Sequence, residues 1–289
     1  MTAAAEHADT LAAMGQRLGP DVLAAVHDLY RAEQQSHASG QPALAADLAY
    51  GPHPRHRLDL YAPPAGTTPA PVLVWVHGGG FLRGDKGGGD NPFNAHAARW
   101  AARQGMLGAA INYRLAPDDT WPAGAQDVVA TVEWLCTQVA AHGGDPARIV
   151  LMGTSAGATH IADALRLRPD LPVRAAVLLS GLYGFSPLEE RDTLYYGPAQ
   201  FYPERMPREA LVATVLPLFL ACAQHDPPRF QHETLALLDA RVTRHGTMGR
   251  GHIAAGHNHF SMAYHLGTAD TRLADEVLSF LHEQLGEFA

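Results

Sequence analysis

Gly153-Thr154-Ser155-Ala156-Gly157 is the stretch of sequence that decides the fold of this chain. It follows the apolar run 148–152, which is typical of a buried strand, and it precedes residues 158–165, whose pattern favours a helix. A serine between two glycines at this spacing is common by chance. Between a strand and a helix, however, it predicts a tight turn that exposes the serine hydroxyl above the sheet edge. The glycines suit that turn because a side chain at either position would collide with the neighbouring elements.

A second glycine-rich motif lies upstream. His77-Gly78-Gly79-Gly80-Phe81 follows residues 72–76, another apolar run of the kind buried on both faces of a sheet. Hydrolysis of an ester or amide develops negative charge on the carbonyl oxygen, and the N–H groups of bare glycines can approach that charge closely. We therefore predict an oxyanion hole formed by the N–H groups of Gly79, Gly80 and Ala156. The alternatives are a turn without chemistry and a phosphate cradle, although no Lys-Ser/Thr pair follows the glycines as a P-loop requires.

Together these motifs resemble those of the α/β-hydrolase carboxylesterases, namely the hormone-sensitive-lipase-like enzymes and the neighbouring feruloyl-esterase and kynurenine-formamidase-like groups. The resemblance extends over about residues 56–265 and includes Asn112–Pro117 and Gly144–Pro146. Thr154 stands where the lipase-like group usually has Asp, and His257-Asn258-His259-Phe260 stands where that group usually has His-Gly-Phe. Both departures favour the formamidase and feruloyl-esterase side.

The order of apolar runs predicts an α/β fold. Strands and helices alternate, which implies a mostly parallel central sheet with helices on both faces. We predict a single α/β-hydrolase domain over residues 1–289, with a helical segment at 1–50 and a small cap at 181–209, a stretch rich in Tyr, Phe and Pro. The expected strands are 57–61 at the sheet edge, 72–76, 108–113, 149–152, 176–179, 216–221 and 251–255. The expected helices are 94–104, 124–141, 156–167, 233–243 and 273–287.

A serine nucleophile needs a base, and the base needs a carboxylate that orients it. In this fold the order along the chain is nucleophile, acid, histidine. Asp226 follows the strand predicted at 216–221, where catalytic groups collect, so Asp226 is the expected acid, with Asp239 and Asp192 in reserve.

The base has more candidates, because the chain contains 17 histidines. In the resembling enzymes the base lies directly before the Phe or two residues before it, which nominates His259 first and His257 second. We favour His259 because Phe260 and Ser261 have the pattern of a helix start, which leaves His259 at the tip of the loop.

The resemblance implies a serine esterase for short-chain or small aromatic esters, with an acyl-enzyme intermediate. The alternatives are an arylformamidase-type amidase with the same triad and a non-catalytic binding protein. A zinc site at His252, His257 and His259 is a further alternative, but no carboxylate or cysteine stands at ligand spacing. We therefore expect no metal and no cofactor.

Composition limits the partners. The net charge of −8 argues against nucleic acid, and no apolar stretch is long enough to span a membrane. The start of the chain does not have the pattern of a secretory signal, and Cys136 and Cys222 are expected to be buried free thiols, so we expect a cytoplasmic protein. The expected partner is a small-molecule ester, and a homodimer is left open.

Overall fold

A computed structural model of the protein describes residues 7–65, 69–89 and 91–286. Within them, one eight-stranded sheet has the order β1-β2-β4-β3-β5-β6-β7-β8. The strands are β1 (Ala45–Ala49), β2 (Arg57–Tyr61), β3 (Ala70–Val76), β4 (Leu107–Ile111), β5 (Gly144–Thr154), β6 (Ala175–Leu179), β7 (Leu218–His225) and β8 (Arg250–Asn258). Strands β3 to β8 pair in parallel, whereas β1 pairs with β2, and β2 with β4, in antiparallel fashion.

Helices cover both faces of this sheet, as the alternation predicts. They are α1 (Ala8–Met14), α2 (Pro20–Gly40), α3 (Ala95–Arg103), α4 (Ala123–Gln138), α5 (Ala156–Leu167), α6 (Thr193–Tyr196), α7 (Tyr202–Arg205), α8 (Arg208–Ala213), α9 (Pro228–His245), α10 (Ser261–Tyr264) and α11 (Arg272–Leu285). Successive side chains of β3 alternate between the two faces. Val74 belongs to the cluster that contains α4 and α5, and Trp75 belongs to the cluster that contains α3 and α11.

The strands and helices predicted for the sheet are present with shifted ends, and α5 has the predicted bounds. Two details differ. Residues 57–61 do not form the sheet edge, because β1 pairs with their outer side. The segment at 1–50 is helical only in part, since it ends in β1, and residues 1–6 lie outside the described residues. Strand β1 has no clear alternation of buried and exposed side chains, so its sequence carries little strand signal.

The segment 181–209 consists of short helical turns, among them α6, α7 and the start of α8. Its role as a cap on a single domain stays a prediction. Cys222 is buried as expected, whereas Cys136 is only half-buried, and both are free thiols. No helix in the described part of the chain combines the length and the apolar character needed to cross a bilayer.

Candidate active site

Ser155 lies in a strained turn between β5 and α5. Its φ of 53° and ψ of −123° are unusual for a residue with a side chain, as expected for an exposed nucleophile at a strand-to-helix turn. A Cβ on Gly153 would lie 2.8 Å from the backbone of Gly157, and a Cβ on Gly157 would overlap the carbonyl oxygen of Val76. Both glycines are therefore required by the close approach of β5, α5 and β3.

The structure brings Ser155, His259 and Asp226 together in a hydrogen-bonded chain. His259 Nε2 lies 3.0 Å from Ser155 Oγ, and His259 Nδ1 lies 2.6 Å from Asp226 Oδ1. Asp226 is fully buried, and Phe230 packs on the His259 ring with a centroid distance of 4.3 Å. The three side chains come from the carboxyl ends of β5, β7 and β8, so the parallel sheet gathers them at one edge.

Ser180 holds the far side of the Asp226 carboxylate. Its hydroxyl donates to Asp226 Oδ2 at 2.5 Å, and the N–H of Ala223 donates to the same oxygen at 2.7 Å. Asp226 Oδ1 is therefore left to face the histidine. The sequence interpretation missed Ser180, although its position directly after β6, at the carboxyl edge of the sheet, is a signal that could have found it.

The other candidate acids and base lie elsewhere. His257 bonds Ser261 Oγ through Nδ1 at 3.1 Å and Asp270 Oδ2 through Nε2 at 3.1 Å, so both ring nitrogens are occupied. Asp192 forms an ion pair with Arg229 at 2.6 Å, and Asp239 is exposed on α9. Of the described acids and histidines, Asp226 and His259 are the pair in line with Ser155.

The turn that presents His259 is held by its neighbours. Asn258 Oδ1 accepts the N–H groups of Phe260 and Ser261, at 3.2 and 2.9 Å. Ser261 Oγ in turn accepts the N–H of Asn258 at 2.9 Å. These reciprocal bonds stabilise a tight turn between β8 and α10, and this turn fixes the direction of the His259 side chain.

The glycine motif after β3 passes directly beside this serine turn. A Cβ on Gly78 would lie 3.3 Å from Ser155 Cβ, so a larger residue would press on Ser155. Gly79 has φ 137° and Gly80 has φ 61°, conformations that favour glycine. Within the described part of the chain, no acceptor takes the N–H groups of Gly79, Gly80 or Ala156. These three groups are free to donate to a ligand.

Buried polar contacts support this loop. His77 stacks on Tyr113 with a centroid distance of 4.3 Å, and Tyr113 donates to the His77 carbonyl at 2.8 Å. Lys86 lies 2.8 Å from Asp59. Arg114 donates to Asp127 at 2.7 Å.

Burial keeps several nearby histidines uncharged. Desolvation lowers the pKa of His160 to about 3 and the pKa of His77 and of His27 to about 4. All three are therefore neutral near pH 7. His160 is a packed core residue, fully buried against Tyr113 and Tyr195.

A cavity of about 470 Å³ opens beside Ser155 and His259. Leu18, Leu23 and His27, at and near the start of α2, form part of its wall. Of the segment 181–209, the one residue that lines the cavity within the described chain is Arg191. Of the aromatic residues in that segment, Tyr195, Tyr196 and Tyr202 cluster with Phe81 of the glycine motif, and Tyr195 stacks on Phe81 at 4.5 Å. Helix α2 and the two residues before it thus contribute more of the cavity wall than the segment 181–209 does.

His257, His265 and Asp270 offer nitrogen and oxygen atoms within 4.8 Å of one another. Asp270 is already paired with Arg272 at 2.7 Å, and the rings of His257 and His265 stack at 3.8 Å. His257 Nε2 lies 3.1 Å from Asp270 Oδ2, and His265 Nδ1 lies 2.8 Å from the carbonyl oxygen of Ser261. The predicted zinc alternative fails geometrically at His259, whose two nitrogens face Ser155 and Asp226.

Comparison with known proteins finds ester hydrolases among the proteins that are similar to this chain. A family model described as BD-FAE matches residues 58–168. Probable carboxylic ester hydrolase LipM of Mycobacterium tuberculosis is 32% identical over 212 residues, which cover 63% of this chain and 48% of LipM. Carboxylesterase NlhH of Mycobacterium tuberculosis is 31% identical over 199 residues, which cover 59% of this chain and 60% of NlhH. The crystal structure of esterase LipW from Mycobacterium marinum has a TM-score of 0.72 at 23% identity and covers 92% of this chain and 90% of LipW.

The chain therefore has the α/β-hydrolase fold, which its sheet order and serine turn define. The two relatives in sequence described above are named as a probable carboxylic ester hydrolase and a carboxylesterase. The matched region spans less than two thirds of the length of either relative.

Proposed function

We propose that this protein is a serine carboxylesterase. The observation that carries the proposal is the chain from Ser155 through His259 to Asp226, with contacts of 3.0 and 2.6 Å, beside unused backbone donors. A nucleophile, a base and an orienting acid in this arrangement are the parts that acyl transfer needs. No metal or cofactor is required for any of these roles.

The geometry assigns each step to one group. Ser155 Oγ attacks the ester carbonyl carbon while His259 Nε2 accepts its proton, and Asp226 stabilises the imidazolium that forms. The N–H groups of Gly79, Gly80 and Ala156 stabilise the oxyanion. His259 then gives the proton to the leaving alcohol, which leaves an acyl-enzyme. Water repeats the cycle and releases the acid.

The proposed substrates are esters with short acyl chains, about two to six carbons, or with a small aromatic group. A buried methylene adds roughly 0.8 kcal/mol of binding only while the pocket can hold it. The cavity of about 470 Å³ is of the size that holds one small ligand. The proposed setting is the cytoplasm, which agrees with the free thiols of Cys136 and Cys222.

The test uses p-nitrophenyl esters of graded acyl length and N-formylkynurenine in parallel. We expect Ser155→Ala to lower kcat for the butyrate ester by roughly 10⁴ without loss of fold, because the triad acts as a unit. Ser279→Ala, at an exposed position on α11, is the matched control and should retain full activity.

Near-wild-type turnover by a folded Ser155→Ala protein would contradict the serine mechanism. Faster turnover of N-formylkynurenine than of every ester would make the protein a formamidase. Emulsified long-chain triglyceride hydrolysed faster than butyrate ester would make it a lipase.

A further inference from the structure

Two guanidinium groups line the cavity beside the serine. Arg83 belongs to the loop that follows the glycine motif, and Arg191 comes from the short turn before α6. A Cβ on Gly80 would lie 3.2 Å from Arg191 Nη2, so this guanidinium lies directly over the proposed oxyanion loop. The cavity therefore has positive charge on the side to which an ester carbonyl would point.

These two arginines lack close counter-charges among the described residues. The Arg83 side chain has no hydrogen bond or ion pair with any of them. The carboxylate nearest to Arg191 belongs to Asp192, whose Oδ1 lies 3.9 Å from Arg191 Nε. Asp192 Oδ2 is bound by Arg229 at 2.6 Å, so its charge is shared with another arginine.

Asp85 is the one carboxylate among the described residues that line the cavity. Its Oδ1 accepts the N–H of Gly87 at 2.9 Å, and its Oδ2 accepts Asn112 Nδ2 at 2.9 Å. Both oxygens are therefore occupied by bonds within the protein, one to the same loop and one to the residue after β4. His27 adds no charge, because burial lowers its pKa to about 4.

We propose that the cavity selects esters that carry a second, ionised carboxylate, which Arg83 and Arg191 bind. This proposal rests on the proposed esterase function and names its substrate class. Guanidinium groups are the side chains best suited to a carboxylate, since they donate two parallel hydrogen bonds. Both arginine side chains are exposed, and neither would have to break a hydrogen bond within the described residues to bind such a partner.

The position of Arg191 limits the distance between the ester group and the carboxylate of the substrate. The oxyanion lies about 3 Å from its N–H donors, and a carboxylate lies about 2.8 Å from a guanidinium nitrogen. Because Arg191 Nη2 lies over Gly80, a substrate with about two to four methylene groups between ester and carboxylate can reach both. Half-esters of small dicarboxylic acids have this chemistry.

The test compares monomethyl glutarate with methyl glutaramate, an uncharged amide of the same length, by following acid release in a pH-stat. We expect the wild-type protein to prefer the carboxylate by about tenfold in kcat/KM, and each of Arg83→Gln and Arg191→Gln to reduce that preference by about fivefold. The ratio of the two substrates is the readout, so a general loss of activity cancels. The preference should also weaken as NaCl is raised from 20 to 500 mM.

Arg174→Gln is the control, because Arg174 is exposed at the start of β6, at the opposite edge of the sheet from the site. It should leave the preference unchanged. If the wild-type protein hydrolyses the amide ester as fast as the half-ester, or if both cavity variants keep the full preference, the anionic substrate class is wrong. If it hydrolyses no ester at all, including p-nitrophenyl butyrate, the esterase function itself fails.

Discussion

In the proposed His259–Asp226 pair, both ring nitrogens and both carboxylate oxygens have hydrogen-bond partners. Asp226 Oδ2 is occupied by Ser180 and Ala223, so the carboxylate has only Oδ1 to offer the histidine. His259 Nδ1 meets that oxygen, and Nε2 is thereby turned to the serine. The orientation of the base is thus determined at the acid, by residues that take no part in the chemistry themselves.

The two candidate histidines differ in their contacts, and a pair of variants separates them. We expect His259→Gln to lower kcat about as much as Ser155→Ala, since a single ring joins Ser155 to Asp226. His257→Gln should retain at least a tenth of wild-type turnover, because His257 contacts Ser261 and Asp270 and not the nucleophile. Steady-state kinetics with p-nitrophenyl butyrate, with circular dichroism as the check on folding, measures both. The reverse ranking would mean that His257 is the base.

Sequence patterns were enough to nominate the three residues of the hydrogen-bonded chain. Ser155 is marked by its glycines, and Asp226 and His259 are marked by their places after apolar runs. Ser180 also follows an apolar run, but its contact with Asp226, 46 residues away, cannot be deduced from that position. Arg191 could not be nominated, because its place depends on the path of an irregular segment. Spacing along the chain carries no information about such contacts.

Helix α2 is the element that gives the cavity its depth. Leu18, just before it, and Leu23 and His27 within it face the serine turn, while Val22 and Val26 are buried in a cluster with Phe93. The helix thus uses one side for packing and the adjacent side for the cavity, which suits its 3.6-residue period. Its Gln34 donates to the carbonyls of Tyr264 and Leu266, at 3.0 and 2.9 Å, and so fastens the helix to the C-terminal part of the chain.

Shortening one side chain of this wall should change acyl-length specificity. We expect Leu23→Ala to raise the ratio of octanoate to butyrate ester turnover several-fold, because each methylene that the enlarged cavity accepts adds roughly 0.8 kcal/mol, or about fourfold. Leu29→Ala is the matched control, since Leu29 lies on the same helix, is also half-buried and does not line the cavity. Assays of kcat/KM across acyl lengths give the ratio. An equal change in both variants would mean that α2 acts through stability and does not form the acyl wall.

Helices and strands could be predicted from the sequence where burial in the core accounts for their apolar residues. Strand β3 is buried along its whole length, and its unbroken apolar run is what a central parallel strand requires. Strand β1 has mostly exposed or half-exposed side chains, so only its pairing with β2 identifies it. The apolar residues of α2 recur at helical spacing and likewise predict a helix. The surface against which they pack, however, is formed by residues from distant parts of the chain.

Across the whole molecule, one buried carboxyl group links stability to pH. Asp163, on α5, is fully buried, and Trp121 donates to its Oδ2 at 3.2 Å while Oδ1 has no partner in the described residues. Desolvation raises the pKa of Asp163 to about 8. The folded protein therefore holds a proton that the unfolded chain releases near pH 4. The stability that this proton contributes is complete below about pH 4 and is lost as pH rises to about 8.

Replacing this carboxyl with an amide should remove that pH dependence. We expect the free energy of unfolding of Asp163→Asn, relative to wild type, to increase between pH 5 and pH 8, with a slope of up to about 1.4 kcal/mol per pH unit. Urea unfolding at several pH values measures this difference, in which the contributions of the other titrating groups cancel. A difference that stays constant with pH would show that Asp163 is ionised in the folded protein.

The fastening of α2 to the far end of the chain has a consequence for biosynthesis. The helix leaves the ribosome before the segment to which it is fastened, because the carbonyls that accept from Gln34 lie 230 and 232 residues later. At about 5 to 20 residues per second, that interval lasts on the order of ten seconds or more. During it α2 can pack against Phe93 but lacks its contacts with Phe260 and Tyr264, and Ser155 lacks its neighbour His259. The nascent chain is accordingly expected to be inactive until this later segment has been translated.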